Sequence, residues 1–325
     1  MKALICRAFG APDVLRLEEC EPRHPGPGEA RIAIAAAGVN FPDSLMVAGK
    51  YQVKPPFPFI PGLEGAGTVI EVGEGVTHLT PGTRVMFMAR RGGAFATEIT
   101  MDARTVAPIP DRMDAVTAAC FPIVYGTAHF ALTHRGKVRP GETVLVTGAA
   151  GGVGIAAVEV AKALGARVIA AAGDADRLEV ARQHGADEAI NYRSEDLRER
   201  VKELTGGAGV DVVFDPVGGD VFDACTRVLG WEGRLLVIGF ASGRIPSAPA
   251  NMVLVKNYSV VGVVFGAHTE RFPDDTRARL TELTSWVSDG RLKPHVSRTY
   301  PLAEGPMAIA DLAARRAVGK VAVVT

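Results

Sequence analysis

The chain has 325 residues, of which 47% are hydrophobic and 22% charged, a composition typical of a globular protein with room for two domains. Lysine plus arginine and aspartate plus glutamate both number 36, so the formal net charge is zero. Nucleic-acid-binding proteins normally carry a basic surplus, so we expect no nucleic-acid partner.

The apolar stretches predict neither a secretory signal nor a membrane span. In the N-terminal MKALICRAFG, Arg7 interrupts the apolar run, which does not suit a secretory signal. The longest uncharged stretch, Thr143 to Val158, is too short and too rich in glycine for a membrane span. The cysteines form no C-x-x-C pair and are expected to be reduced thiols in a cytoplasmic protein; they are Cys6, Cys20, Cys120 and Cys225.

The first 120 residues or so contain short apolar runs that alternate with polar residues and are separated by glycine and proline. This pattern predicts an all-β, barrel-like domain. The predicted strands are LRLEE, ARIAIAAAG, GTVIEVG, TRVMFM and AFATEIT.

A helical stretch, AACFPIVYGTAHFALTHRG, precedes a region in which apolar strands alternate with helices. This alternation predicts an α/β domain with a doubly wound parallel sheet. After Phe265, a helix, a shorter helix and a final strand are expected to return to the first domain. The predicted strands of the sheet are TVLVTG, RVIAAAG, EAINY, VDVVFDPVGG, GRLLVIG and YSVVGVVFG.

A glycine-rich loop, in the stretch TVLVTGAAGGVG, joins the first of these strands to a helix. It fits the G-x-G-x-x-G pattern except that Ala149 replaces the first glycine. Such a loop lets a pyrophosphate approach the backbone N–H groups at a helix N-terminus. The surrounding strands and helices favour nucleotide binding over a turn without a ligand. The predicted cofactor contacts here are Gly151, Gly152, Val153 and Gly154.

The residues after the second strand favour NADP over NAD. An acidic residue about 20 positions beyond the loop would bind the ribose 2′-hydroxyl of NAD. Gly173 leaves room at this position, and Arg177 supplies a guanidinium group suited to a phosphate. The neighbouring Asp174 would repel a 2′-phosphate, unless its carboxylate caps the following helix.

Several motifs, in this order, resemble the medium-chain dehydrogenase/reductase superfamily: AAGVNFPDS, PGLEGAGTVIEVG, TPGTRVM, VLVTGAAGGVG and GKVAVV. Within it the chain is similar to the zinc-free quinone oxidoreductases. The resemblance implies a GroES-like substrate domain of residues 1–122 plus 267–325, and an inserted Rossmann domain of residues 123–266. It also implies a homodimer in which the GroES-like domain holds the substrate over the nicotinamide.

The positions of the zinc ligands differ from those of the zinc-dependent branch. The resemblance places a cysteine of that branch at Asn40 and a histidine at Leu63, and the cysteine-rich structural-zinc loop is replaced by MARRGGAFATE. Glu64 remains, but a single carboxylate does not make a zinc site. We therefore expect no metal and no alcohol dehydrogenase mechanism.

A metal-free hydride transfer benefits from a donor to the oxygen on which negative charge develops. The resemblance to enoyl-thioester reductases makes Tyr51 the first catalytic candidate, and the Asn40 amide is the second. Tyr51 could instead pack under a proline-rich loop, and Asn40 could be a turn residue.

Other cofactor contacts follow from position in the resemblance. Thr127 and Lys320 are expected near the nicotinamide, and Tyr192 near the adenosine ribose or its phosphate. Residues at two strand ends are expected to face the ligand crevice, although core packing is an alternative for both phenylalanines. They are Ile238, Gly239, Phe240, Val263, Val264 and Phe265.

The sequence thus predicts an NADPH-dependent, metal-free reductase of quinones or α,β-unsaturated carbonyls. An enoyl-CoA reductase is an alternative, since Lys50, Lys54, Arg90 and Arg91 could bind the CoA phosphates. A non-catalytic NADPH-binding protein is a second alternative.

Overall fold

The computed structural model describes all 325 residues and divides into two compact units. The terminal unit comprises Met1–Ile123, Gly266–Ser288 and Pro294–Thr325, so it contains both chain ends. The central unit comprises Val124–Phe265 and Asp289–Lys293. The sequence analysis predicted two domains, residues 1–122 with 267–325 and residues 123–266. That they fold separately within these limits stays a prediction.

The chain forms fifteen strands. They are β1 (Lys2–Ile5), β2 (Arg16–Glu19), β3 (Glu29–Val39), β4 (Glu64–Val72), β5 (Arg84–Met88), β6 (Glu98–Asp102), β7 (Val106–Pro108), β8 (Thr143–Thr147), β9 (Arg167–Ala172), β10 (Glu188–Asn191), β11 (Val210–Asp215), β12 (Leu229–Val237), β13 (Ser259–Gly262), β14 (Val296–Pro301) and β15 (Lys320–Val324).

It also forms eleven α-helices, the third of which continues as a π-helix over Phe130–Arg135. They are α1 (Phe41–Val47), α2 (Ala115–Ala119), α3 (Pro122–His129), α4 (Gly152–Ala163), α5 (Ala175–Gln183), α6 (Leu197–Leu204), α7 (Gly219–Val228), α8 (Ala250–Lys256), α9 (Phe265–Arg271), α10 (Pro273–Ser288) and α11 (Gly305–Ala313). No helix combines the length and the apolar character that a membrane span requires.

The terminal unit is built on a seven-stranded sheet in the order β14-β15-β3-β4-β5-β7, with β6 also paired to β3. The C-terminal strand β15 pairs antiparallel with β3, which explains how the end of the chain joins the N-terminal strands. Buried side chains from the sheet and the N-terminus, including Leu4, Ile32, Phe87 and Phe95, form one apolar core.

The central unit is built on a six-stranded parallel sheet in the order β10-β9-β8-β11-β12-β13. Numbered within the sheet this order is 3-2-1-4-5-6, that of a Rossmann fold. The central strand residues Val144, Leu145 and Val146 are fully buried, as expected for a sheet covered by helices on both faces. The predicted fold class is therefore confirmed.

The strand predicted for YSVVGVVFG is wrong in its second half. β13 ends at Gly262, and α9 begins at Phe265. Arg234 to Val237 of β12 provide the four ladder partners of β13, and β12 ends there. The Val263 N–H still donates to the Val237 carbonyl oxygen at 3.1 Å, and beyond it no strand residue remains as a partner. The short helices α1, α8 and α9 and the strands β1, β7 and β14 were not predicted.

Candidate active site and dinucleotide loop

Four polar side chains form a buried polar cluster in the terminal unit: Asn40, Asp43, Glu64 and Lys320. Asn40 directly follows β3, while Glu64 and Lys320 are the first residues of β4 and β15. Both of these strands pair antiparallel with β3, and their first residues align with its last ones. The sheet register therefore brings together residues that are far apart in sequence.

The ammonium group of Lys320 has all three hydrogens engaged within this cluster. Its Nζ donates to the Val39 carbonyl oxygen at 2.8 Å, to Asn40 Oδ1 at 2.8 Å and to Glu64 Oε1 at 2.7 Å. An ammonium group has three donors, so none is left for a cofactor. The predicted contact between the Lys320 side chain and the nicotinamide is thus not supported by this geometry.

The amide of Asn40 is also fully engaged as a donor. Its Nδ2 donates to the Gly38 carbonyl oxygen at 3.2 Å and to Glu64 Oε1 at 3.0 Å. No amide hydrogen remains for a substrate oxygen, which speaks against the donor role predicted for Asn40. The side chain instead positions Glu64 and Lys320.

Glu64 links the cluster to the start of α3, because its Oε2 accepts a hydrogen bond from the Ile123 backbone at 2.8 Å. Gly38 provides the space for this carboxylate. A Cβ atom at Gly38 would lie 2.5 Å from Glu64 Oε1 and 2.5 Å from the Ala119 carbonyl oxygen. A side chain at this position would therefore displace the carboxylate.

Asp43, in the first turn of α1, is the second buried carboxyl group of the cluster. It accepts hydrogen bonds from the backbone N–H groups of Asn40 at 2.7 Å and Gly62 at 3.2 Å. Burial raises its pKa to about 7, against the lowering effect of these bonds and of the Lys320 charge. The carboxyl group of Asp43 therefore changes between its protonated and ionised forms near neutral pH.

Tyr51 lies in the bend after α1, half-buried against the core of the terminal unit. Its backbone N–H donates to the Leu45 carbonyl oxygen at 3.1 Å, which fixes the bend to α1. No side chain or backbone group of the protein hydrogen-bonds its hydroxyl. Burial raises the pKa of Tyr51, with the charges of Arg90 and Asp43 as smaller influences, so the hydroxyl keeps its proton and can donate it.

The glycine-rich loop of the central unit has the geometry of a phosphate-binding turn. Gly148 has a φ of +58°, and Gly151 caps the N-terminus of α4. A Cβ atom at Gly154 would lie 2.2 Å from the Gly148 carbonyl oxygen, so only glycine lets α4 start this close to β8. The N–H groups of Gly152, Val153 and Gly154 in the first turn have no intrahelical acceptor and are available to an anion.

Two basic residues follow the ends of β9 and β10, namely Arg177 and Arg193. A Cβ atom at Gly173 would meet Arg193 Nε at 2.9 Å and the Tyr192 ring at 3.2 Å. Arg177 lies in the first turn of α5. The Asp174 carboxylate caps this helix by accepting from the backbone of Asp176 at 3.0 Å and of Arg177 at 3.3 Å.

Arg193 was missed by the sequence analysis, although it directly follows Tyr192. The signal that could have found it is its position after the third parallel strand, beside Gly173, where the sequence analysis expected the choice between NAD and NADP to be made. Because Asp174 acts as a helix cap, its carboxylate is held at the N-terminus of α5, where it keeps its negative charge.

The remaining predicted contacts differ in how accessible they are. Thr127 lies half-buried on α3, and the backbone N–H groups of Ile238 and Gly239 donate to the Asp215 carbonyl oxygen at 3.0 and 3.4 Å. Val264 and Phe240 are exposed, whereas Val263 is buried.

The ring of Phe265 is part of the core, as the alternative interpretation held. A Cβ atom at Gly126 would lie 2.3 Å from this ring, and the ring centroid is 5.7 Å from that of Phe130. The Phe265 side chain is thus not available to the cofactor, and only its backbone could make the predicted contact.

No group of three or more histidine, cysteine or acidic side chains is arranged to hold a metal ion. At the position where the zinc-dependent branch would bind its ion, the Lys320 ammonium already lies between Asn40 and Glu64. A fixed positive charge there repels a cation, and neither Asn40 nor Leu63 suits zinc. The residues present do not fit a catalytic zinc.

Comparison with known families gives two matches. Residues 26–111 match the "Alcohol dehydrogenase GroES-like domain", and residues 152–282 match the "Zinc-binding dehydrogenase" family. The second description refers to the family as a whole, since the residues of this chain do not fit the ion.

Relatives match over nearly the whole chain. A quinone oxidoreductase-like protein 2 homolog of Nematostella vectensis is 39% identical over 326 residues, covering 100% of this chain and 89% of that protein. A quinone oxidoreductase of Pseudomonas aeruginosa is 34% identical, covering 96% of both. Among solved structures, Escherichia coli quinone oxidoreductase complexed with NADPH has a TM-score of 0.91 and 31% identity, covering 100% of both chains.

Proposed function

Because this chain belongs to the quinone oxidoreductase branch of the medium-chain dehydrogenase/reductase superfamily, and is an oxidoreductase, we propose that it reduces a quinone or an α,β-unsaturated carbonyl with NADPH. The observation that carries the proposal is the full-length match to quinone oxidoreductases, one of them solved as an NADPH complex.

The central unit supplies the groups that would hold the cofactor. The first turn of α4 would bind the pyrophosphate, and Tyr192 would lie against the adenosine ribose. Arg177 and Arg193 would bind the 2′-phosphate, for which bidentate guanidinium groups are well suited. When bound, NADPH supplies the hydride, and one proton completes the reduction of a conjugated carbonyl.

The terminal unit would supply a proton donor in place of a metal. Tyr51 is the stronger candidate, because its hydroxyl is protonated at neutral pH and has no partner in the protein. A donor aimed at the acceptor oxygen stabilises the negative charge that develops during hydride transfer. Asn40, Glu64 and Lys320 act as positioning residues that hold the end of β3 ahead of α1.

The enoyl-CoA alternative loses one of its four basic residues. Arg90 forms an ion pair with Glu270, whereas Lys50, Lys54 and Arg91 are exposed. Three exposed cations remain as possible contacts for CoA phosphates, so crotonyl-CoA belongs among the tested acceptors.

A homodimer is part of the proposal. β13 is an edge strand of the central sheet, and an unpaired edge is a ready template for pairing with another strand. Leu254 on α8, Val260 on β13 and Val264 beside it are all exposed apolar side chains. Light scattering should give the mass of a dimer, and Val260→Lys should give a monomer; a monomeric wild-type protein would refute this part.

The test of the proposed function is the oxidation of NADPH and NADH, followed at about 340 nm, with a quinone, an enone and crotonyl-CoA as separate acceptors. We expect rapid oxidation of NADPH with the quinone or the enone, and slow oxidation of NADH. Tight NADPH binding without oxidation by any acceptor would refute the reductase and favour the non-catalytic alternative.

A further inference from the structure

A cavity of the central unit, with a volume of about 300 Å³, lies near the N-terminal ends of β11 and β12. Gly209, directly before β11, and Trp231, near the start of β12, both line it. The glycine-rich loop follows the C-terminal end of β8, and the three strands are parallel. The cavity is therefore at the edge of the sheet opposite the proposed cofactor site.

Four cationic side chains line this cavity, and no acidic side chain does. Arg198 and Lys202 come from α6, Arg227 from the end of α7, and Lys256 from the end of α8. Arg198, Lys202 and Arg227 form no ion pair with any carboxylate of the chain, although Arg200 on the same helix pairs with two glutamates. In a chain of zero net charge, this is a local positive surface.

Lys256 is fixed at the cavity wall. Its Nζ donates to the carbonyl oxygens of Arg227 at 2.5 Å and Leu229 at 2.9 Å. Burial lowers its pKa, and the charges of Arg198 and Arg227 lower it further, so the three cations are close enough to repel one another. An anion in the cavity would relieve this repulsion.

Trp231 gives the cavity a flat apolar wall. Its side chain is 70% exposed, and it also lines an adjoining cavity of about 450 Å³. A large exposed indole is uncommon on a soluble surface and offers its face for stacking with a planar ring. The two cavities together are large enough for a ligand the size of a mononucleotide, and the adjoining one is also lined by Arg167 and Asp211.

We propose that this cavity binds a phosphate-bearing anion with a planar ring, of the nucleoside polyphosphate class. Arg198, Lys202 and Arg227 bind the phosphates, and Trp231 stacks on the ring. The site is distinct from the proposed cofactor site and does not depend on the reductase assignment.

The test uses tryptophan fluorescence of the full-length protein in NADP+, which fills the cofactor site. Trp231 is exposed and Trp286 is 6% exposed, so a ligand at the cavity changes the signal of the first alone. The probes are ATP, inorganic pyrophosphate and adenosine. We expect a saturable change with ATP, weaker binding of pyrophosphate and none of adenosine.

Two variants complete the test. The double substitution Lys202→Ala/Arg227→Ala should weaken ATP binding at least about tenfold, since two charge-assisted contacts are lost. Arg182→Ala, which removes an exposed arginine on α5, should leave the binding unchanged. No saturable change with ATP, or equal losses in both variants, would overturn the site. ATP binding no tighter than pyrophosphate would overturn the nucleotide assignment.

Discussion

Replacing Lys320 by methionine removes the positive charge of the buried polar cluster while keeping the volume similar. Glu64 would then be a fully buried carboxylate with only Asn40 and the Ile123 backbone as donors, and the Val39 carbonyl oxygen would lose its partner. Breaking a buried ion pair by removing one partner costs about 3–5 kcal/mol. We therefore expect Lys320→Met to lower the free energy of unfolding of the terminal unit by about this amount.

The assay is urea unfolding followed by tryptophan fluorescence in a Trp231→Phe background, where Trp286 reports on the terminal unit alone. The control is Arg104→Met in the same unit, because the Arg104–Asp102 pair is exposed and its loss should cost no more than about 1 kcal/mol. The double variant Lys320→Met/Glu64→Gln should lose much less free energy of unfolding than the sum of the losses in the two single variants. Additive losses of unfolding free energy in the double variant would refute the coupling between Lys320 and Glu64. A loss for Lys320→Met as small as that of the control would refute it as well.

Three further predictions concern the proposed reaction and its pH dependence. Tyr51→Phe should lower kcat about 100-fold with little change in KM, because a donor to the developing oxyanion is lost. The control Tyr300→Phe should leave kcat unchanged. An unaltered kcat for Tyr51→Phe would exclude Tyr51 as the proton donor. Arg193→Ala should raise the KM for NADPH by about 10- to 100-fold, because a charged hydrogen bond to the 2′-phosphate is lost. The KM for NADH should stay unchanged. Equal effects on both cofactors would contradict the contact between Arg193 and the 2′-phosphate. The pKa of Asp43 is raised from 3.8 to about 7, so the protonated carboxyl group favours the folded state. This contribution to the free energy of unfolding is fully present below about pH 4 and is lost as the pH rises towards 7. From pH 4 to pH 8 the wild-type protein should lose up to about 4 kcal/mol more unfolding free energy than Asp43→Asn, and parallel pH profiles in urea would contradict the shift.

The architecture could be predicted from the sequence because its signals are local. Buried strands alternate with amphipathic helices, and the loop from Gly148 to Gly154 combines the residues that a tight turn needs with the start of a helix. The elements that were missed are the strands β1, β7 and β14, the helices α1, α8 and α9, and the end of β13. The limits of such short elements depend on capping and on partner strands.

The candidate site was less predictable because its contacts join distant parts of the chain. Lys320 and Asn40 are 280 residues apart, and nothing local shows that their side chains hydrogen-bond to each other instead of facing a ligand. Arg193 reaches Gly173 only through the pairing of β10 with β9. Composition can suggest such residues, but the sheet register decides which of their atoms remain free.

The most direct test of the proposed hydride transfer uses NADPH carrying deuterium on one face of the nicotinamide C4 carbon. The protein oxidises each labelled epimer with the acceptor that gives the fastest turnover, and mass spectrometry measures the deuterium in the NADP+ formed. The account predicts complete loss of the label from one epimer and complete retention in the other, because a built site presents a single face. Partial loss from both epimers, or no acceptor-dependent NADP+ at all, would contradict it.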